Sequence, residues 1–312
     1  MVSDALKGRH FLDVADFSAG ELTYLLDLAA ELKTRLRAGE ETRTLPGRVL
    51  AMIFMKKSTR TRVSFEVGMY QLGGVGMFLS ASELQLGHGE TIRDTAGTLS
   101  RYVHGVMIRA VDHADVLEFA THARIPVVNG MSNTTHPCQT MVDLLTMREH
   151  FGRIAGLRVV YLGAGLNVGT SLLLGCARLG ANFVFCCPEG YEPGADALAA
   201  ARRFAETSGA RVEVAREPQT AVRGADVVCT DGWTRPELAA EHSVRARALQ
   251  PYRLDETLLD AAGPQARVLH CLPAHYGEEI TETVVYSPQS LVFDEAENRL
   301  HAQKAILTAI MS

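Results

Sequence analysis

Short apolar runs of strand length recur along the chain, and the segments between them carry apolar residues at helical spacing. Val49 to Phe54 (VLAMIF), 74–79 (GVGMFL), Gly105 to Arg109 (GVMIR) and 125–130 (IPVVNG) form a first series. Continuous apolar runs separated by helical periods predict strands buried on both faces, hence a parallel sheet joined by crossover helices. A helical stretch from about Thr140 to Phe151 closes that series. A second then begins with LRVVYLG, ANFVFCCP, RVEVA, ADVVCTD and ARVLHCLP. The pattern predicts two α/β domains, each a parallel sheet flanked by helices, with a boundary near residues 150–155. From Glu295 onward, Leu300, Ala305, Ile306, Ala309 and Ile310 keep helical spacing and predict a closing helix.

Composition narrows the function classes. The 312 residues are 47% hydrophobic and 21% charged with a net charge of -5, ordinary for a soluble globular protein. No basic surplus points to nucleic acid or a membrane surface. The uncharged run Val159 to Ala177 holds four glycines with Asn167, Thr170 and Ser171, so it predicts strand, tight turn and helix rather than a membrane span. Six cysteines without a CxxC pair, behind a start that lacks an apolar signal core, suggest a reducing cytoplasm.

Five polar clusters fall at predicted strand ends, where ligands bind in open α/β sheets. Ser58-Thr59-Arg60-Thr61 follows the first strand and opens a helix. Backbone N–H groups, the helix dipole, three hydroxyls and a guanidinium make an anion site, and phosphate is its natural guest. The plainer reading is that Ser58 or Thr59 is only an N-cap. Arg109 ends an apolar strand and needs a partner, which a structural ion pair would also supply. His136-Pro137-Cys138-Gln139 sits in a polar loop at a helix start, where His136 and Gln139 can donate to a carbonyl oxygen of an acyl-type transfer. Gly163 to Gly169 gives only a weak dinucleotide signal, but its Asn167 lies at a strand's carboxyl edge. Asp231-Gly232-Trp233 and His270-Cys271-Leu272-Pro273 end two further strands. Alone, they read as an Asx-turn at Asp231, packing at Trp233 and a buried thiol at Cys271.

Taken in this order, STRT at Ser58 to Thr61, HPxQ at His136 to Gln139 and HCLP at His270 to Pro273 resemble the ornithine and aspartate transcarbamoylase family, closest to its ornithine branch. GEE at Gly277 to Glu279 and FDEAENRLHAQKA near the end extend the resemblance over nearly the whole chain. It implies that residues 1–150, with a helix 295–312 packing back on them, bind carbamoyl phosphate, and that residues 151–294 bind the amine acceptor. Ser58, Thr59, Arg60 and Thr61 would hold the phosphate, Arg109, His136 and Gln139 the carbamoyl group, and Arg299 would add charge to the same ligand. Cys271 would touch carbamoyl phosphate and Leu272 both ligands, the Leu272 carbonyl accepting from the carbamoyl NH2. Asn167 and Asp231 would read the acceptor, and Gln85 would reach a neighbouring subunit of a homotrimer or multiple of trimers. Arg60, Arg109, His136, Gln139 and Cys271 are the catalytic candidates. Neither metal nor cofactor is required, and Cys271, Asp231 or the departing phosphate could take the amine's proton.

Two places depart from the family pattern. Met55 stands where ornithine enzymes usually carry Glu, and Arg235-Pro236-Glu237 replaces the SMG loop that reads the acceptor. A hydroxyl becomes a guanidinium, Pro236 removes a backbone N–H, and Glu237 removes a glycine's freedom. The resemblance implies ornithine or an ornithine-like amino acid as acceptor through Asn167 and Asp231, while Arg235 and Pro236, as candidate acceptor contacts, could suit an acyl-modified, shorter or more acidic amine instead. The rivals are the same transfer to another amine in a specialised pathway, a catalytically silent paralogue, and a nicotinamide-dependent dehydrogenase resting on the Gly163 turn.

Overall fold

The computed structural model describes residues 2–86, 89–234 and 236–312. It divides into two compact units: Met1–Leu145 with Glu297–Ser312, and Thr146–Ala296. The first holds β1 (Val49–Phe54), β2 (Val75–Ser80), β3 (Gly105–Arg109) and β4 (Val127–Met131) in a parallel sheet of order β2-β1-β3-β4. The second holds β5 (Arg158–Leu162), β6 (Asn182–Cys186), β7 (Val212–Ala215), β8 (Val227–Thr230) and β9 (Arg267–Leu269), also parallel, in the order β7-β6-β5-β8-β9. These are the apolar runs of the sequence, trimmed at their ends. β4 starts only after Pro126, which has no N–H to give a ladder. β2 starts after Gly74, where a Cβ would lie 2.7 Å from the Arg48 carbonyl oxygen.

Each sheet reverses its winding direction once, between β1 and β3 in the first unit and between β5 and β8 in the second. At such a switch point the two connections leave towards opposite faces and open a crevice at the carboxyl ends of the strands. The helix Thr59–Gln71 follows β1 into one crevice, its start fixed by the Ser58 hydroxyl accepting from the Thr61 N–H at 3.3 Å. Fully buried Phe65 and Met69 hold that helix on the sheet, each side chain contributing about 1.5–3 kcal/mol of burial.

The last helix, Val292–Met311, begins earlier than its apolar period suggests. From Glu297 on it belongs to the first unit. Lys33 donates to Asn298 Oδ1 at 2.7 Å, and Lys304 donates to Gln71 Oε1 at 2.9 Å. Lys304 lies fully buried, its stem against Gly68, and burial lowers its ammonium pKa to about 8. No helix among the described residues is long and apolar enough to cross a membrane.

Candidate active site

In the first unit, the expected residues converge on one hydroxyl. Phe54 and Arg109 are register partners at the ends of β1 and β3, and the Met55 N–H donates to the Arg109 carbonyl at 2.9 Å. This brings the Arg109 side chain to the start of helix Thr59–Gln71, where its Nη1 lies 3.4 Å from Thr61 Oγ1. Arg299, from the last helix, donates to the same oxygen at 2.8 Å through Nη2 and to Gln139 Oε1 through Nη1. Gln139 in turn donates to Asp143 Oδ1 at 2.7 Å, one helical turn along Pro137–Phe151. Thr61, Gln139, Arg299 and Asp143 are all buried.

A hydroxyl has two acceptor positions and one proton. Two guanidiniums occupy the acceptor side of Thr61, which leaves its O–H to donate to a further oxygen. His136 is buried beside this group, and its pKa lies well below the usual histidine value, first because burial disfavours the charge and then because Arg299 and Arg109 repel it. The imidazole is therefore neutral at pH 7 and acts as a hydrogen-bond donor without adding charge. Cys138, between His136 and Gln139, donates to the Asn129 carbonyl at 3.4 Å, and burial pushes its thiol up to about 12. It packs; it does not react.

Ser58, Thr59 and Arg60 stand at the mouth of this cluster, Ser58 and Arg60 half-buried and Thr59 exposed. On their outer side is a cavity of about 620 Å³ lined by Met55, Lys56, Lys57, Ser58 and Thr59 together with Phe78 and Ser80. The buried arginines do not line it. Beside it, Val63, Val67, Tyr70, Val75 and Met77 are exposed apolar side chains. Gln85 is exposed in the loop before Leu86 and is not part of the Thr61 cluster.

In the second unit, three loops share the carboxyl edge of β5, β8 and β9. Asn167 opens the helix Asn167–Arg178 after β5, buried, its own Oδ1 accepting from the Val168 N–H at 3.0 Å. Asp231 follows β8, and Cys271 Sγ donates to its Oδ1 at 3.2 Å. Leu272 has a left-handed φ of 56°, which costs a non-glycine residue roughly 1–3 kcal/mol. The turn around it is clamped. The Leu272 N–H donates to His270 Nδ1 at 2.9 Å, so the ring proton sits on Nε2 and points to Glu279 Oε1 at 3.1 Å. The His270 N–H donates to Glu295 Oε2 at 2.8 Å. Burial pushes the Glu279 carboxyl up, but hydrogen bonds from His270 and the His275 N–H outweigh it and hold its pKa below the usual value.

Pro236 opens a short 3-10 turn, Pro236–Glu241, followed by the helix His242–Leu249. Arg235 lies outside the described residues. Among those described, His275, Glu278 and Glu279 are the one group of donors close enough to share a cation, within 4.8 Å of one another. The Glu279 oxygen is already taken by His270 and the His275 amide, which makes the group an anchor for the His270 turn.

The glycines after β5 are accounted for by packing. A Cβ on Gly165 would lie 2.4 Å from the Glu192–Pro193 backbone, and one on Gly169 2.6 Å from the Tyr161 ring. The Gly165 N–H already donates to the Tyr191 carbonyl at 2.7 Å, so this turn presents no glycine N–H there for a pyrophosphate.

Sequence reasoning missed Asp143, Glu295 and the pairing of Glu279 with His270. Only Asp143 carried a local signal, its i,i+4 spacing from Gln139 on a helix.

Comparison with known proteins agrees with this geometry. Residues 9–149 match the family model for the carbamoyl-P binding domain of aspartate/ornithine carbamoyltransferase, and residues 155–310 match the model for its Asp/Orn binding domain. The ornithine carbamoyltransferase of Thermococcus kodakarensis is 48% identical over 307 residues, covering 98% of both chains. That of Symbiobacterium thermophilum is 49% identical over 98% of this chain and 99% of its own. The solved ornithine carbamoyltransferase of Pyrococcus furiosus superposes with a TM-score of 0.95 at 46% identity, covering 98% of each chain. The Gloeobacter violaceus enzyme superposes with a TM-score of 0.87 at 45% identity, over 97% of this chain and all of its own. Two domain models in sequence and full-length relatives near half identity leave one assignment: the chain belongs to the aspartate/ornithine carbamoyltransferase family.

Proposed function

We propose that the protein transfers the carbamoyl group of carbamoyl phosphate to the side-chain amine of ornithine, releasing phosphate and forming citrulline. The observation that carries the reading is the Thr61 hydroxyl, which receives two guanidiniums and keeps its proton for an outside oxygen. Carbamoyl phosphate offers both complements, a dianionic phosphate for Ser58 to Arg60 and a carbonyl oxygen for Thr61, Arg109 and neutral His136. As the amine attacks the carbamoyl carbon, negative charge grows on that oxygen and these fixed donors stabilise it. The bond between the carbamoyl carbon and the bridging phosphate oxygen then breaks, the phosphate leaves with that oxygen towards cationic residues, and the amine's proton passes to the departing phosphate, Asp231 or Cys271. Catalysis is positioning and electrostatics.

The acceptor is read by Asn167, Asp231, Cys271 and the Leu272 carbonyl, with Arg235 and Pro236 as further candidate contacts. In this reading Asp231 takes the acceptor's ammonium, and Cys271, hydrogen-bonded to it at 3.2 Å, is a polar neighbour of the same group. The assembly is a homotrimer or a multiple of it. Exposed Val63, Val67, Tyr70, Val75 and Met77 support an interface there, and Gln85 would then serve a neighbouring copy. A cytoplasmic location fits six cysteines that all remain thiols.

The test is phosphate release from carbamoyl phosphate with ornithine, set beside putrescine, lysine, shorter diamino acids and N-acylated ornithine, with mass spectrometry of the product. Citrulline as the main product supports the reading. No turnover of ornithine but efficient use of another amine overturns the acceptor assignment and points to Arg235-Pro236-Glu237 as its cause.

A further inference from the structure

We infer that Arg245 is a positioning residue for the acceptor half-site, acting through the backbone of Trp233. The inference rests on the acceptor reading above. Arg245 lies on the helix His242–Leu249, its side chain only 11% exposed. Its Nε donates to the Trp233 carbonyl at 2.9 Å, and its guanidinium stands 5.0 Å from the centre of the Tyr191 ring. Glu241, one turn back, is a loose ion partner at 3.7 Å.

Trp233 is two residues from Asp231 and is 2% exposed, packed with Ala164 and Leu249. The chain between Trp233 and Arg245 contains the whole Arg235-Pro236-Glu237 departure. Arg245 therefore joins the two ends of that excursion and fixes the turn that aims Asp231. The contact bears on the Asp231 turn rather than on packing in general, since the carbonyl it holds belongs to the same turn. Arg245 Nη2 is also buried without an acceptor among the described residues.

Because Trp233 is the only tryptophan, its fluorescence reports this tie independently of any substrate. The experiment compares R245A, R245Q and R245K with the parent chain. The readouts are acrylamide quenching of Trp233, KM for each substrate with whichever amine the parent turns over best, and thermal midpoint. R245A is expected to raise the acceptor KM about 10-fold, the scale of one charge-assisted hydrogen bond, while the carbamoyl phosphate KM stays within about twofold. Quenching rises in the same variant, and R245K recovers part of both because an ammonium can still donate to the carbonyl. Should R245A be poorly folded, R245Q and R245K carry the same comparison.

Unchanged quenching or an unchanged acceptor KM in R245A and R245Q overturns the inference. So does an equal rise of both KM values with a lowered thermal midpoint, which marks a purely structural arginine. Failure of the parent chain to use ornithine overturns the function reading instead, and leaves the quenching comparison and the better amine to judge Arg245.

Discussion

The two half-sites are built differently. Around Thr61 the side chains that lock one another come from distant segments and all are buried except the half-buried Arg109: Arg109 and Arg299 meet on Thr61, Arg299 on Gln139, and Gln139 on Asp143. Around Asp231 the groups other than buried Asn167 are half-exposed and sit on backbone turns, with Cys271 donating to Asp231. Burial strengthens electrostatics by lowering the local dielectric, but it makes each polar group costly to alter. The first half-site is thus hard to change and suited to one invariant reaction centre. The second can drift, and the larger departure from the family pattern, Arg235-Pro236-Glu237, follows Asp231 in the sequence, whereas the first shows only Met55.

The sharpest way to break this contrast is at the arginines of the first half-site. Arg60→Ala or Arg109→Ala should lower turnover at least about 100-fold, the scale of losing one preorganised donor to developing charge. Steady-state phosphate release measures it, and near parental rates in both would remove the assignment of this cluster as the reaction centre. At the other half-site, Asp231→Asn should act mainly on binding. It is expected to raise the acceptor KM on the order of 10- to 100-fold, with a smaller effect on kcat and little on carbamoyl phosphate. A pure kcat effect would mean that Asp231 acts in the chemistry.

Asp143→Ala should produce a smaller loss of a different kind. It leaves the buried Gln139 amide without its acceptor, costing about 1–3 kcal/mol of stability, which urea unfolding would read. The smallest effect is in pH. His136 and His301 are buried with lowered pKa values, His301 to about 4, first through burial and then through neighbouring cations. At His301 the unfolded chain takes up a proton near 6.5 while the native chain resists until about 4, and His136 shifts in the same direction. Their contribution is present above that upper value and is lost as pH falls through the window. His301→Gln should flatten the fall in stability across it without changing activity at neutral pH. An unchanged slope would assign the acid sensitivity to other groups.

Much of the fold was legible because parallel strands buried on both faces announce themselves as uninterrupted apolar runs. β1 and β3 fall on the residues their runs marked. The site was legible at strand ends for the same reason: Arg109, Asp231 and His270 are polar residues immediately following or closing an apolar run. What stayed hidden was pairing across long separations. Nothing local to Thr61 announces that Arg299 donates to it, and nothing near Trp233 announces Arg245. Such contacts depend on how helices return to a sheet, which periodicity does not specify. The glycine turn after β5 misled in the opposite direction, since its pattern also suits nucleotide binding, whereas here it satisfies tight approach to Pro193 and Tyr161.

The return of helix Val292–Met311 to the first unit also has a consequence for biosynthesis. Arg299 is translated only after the whole of Thr146–Ala296, yet its guanidinium completes a cluster begun at Thr61. At ribosomal speeds of about 5–20 residues per second, the first unit waits on the order of ten seconds for its missing arginine. The nascent first unit therefore carries an unfinished anion pocket while the second is being made. Only a chain translated past Arg299 can complete the Thr61 cluster, so these buried hydrogen bonds form after the second unit has been made.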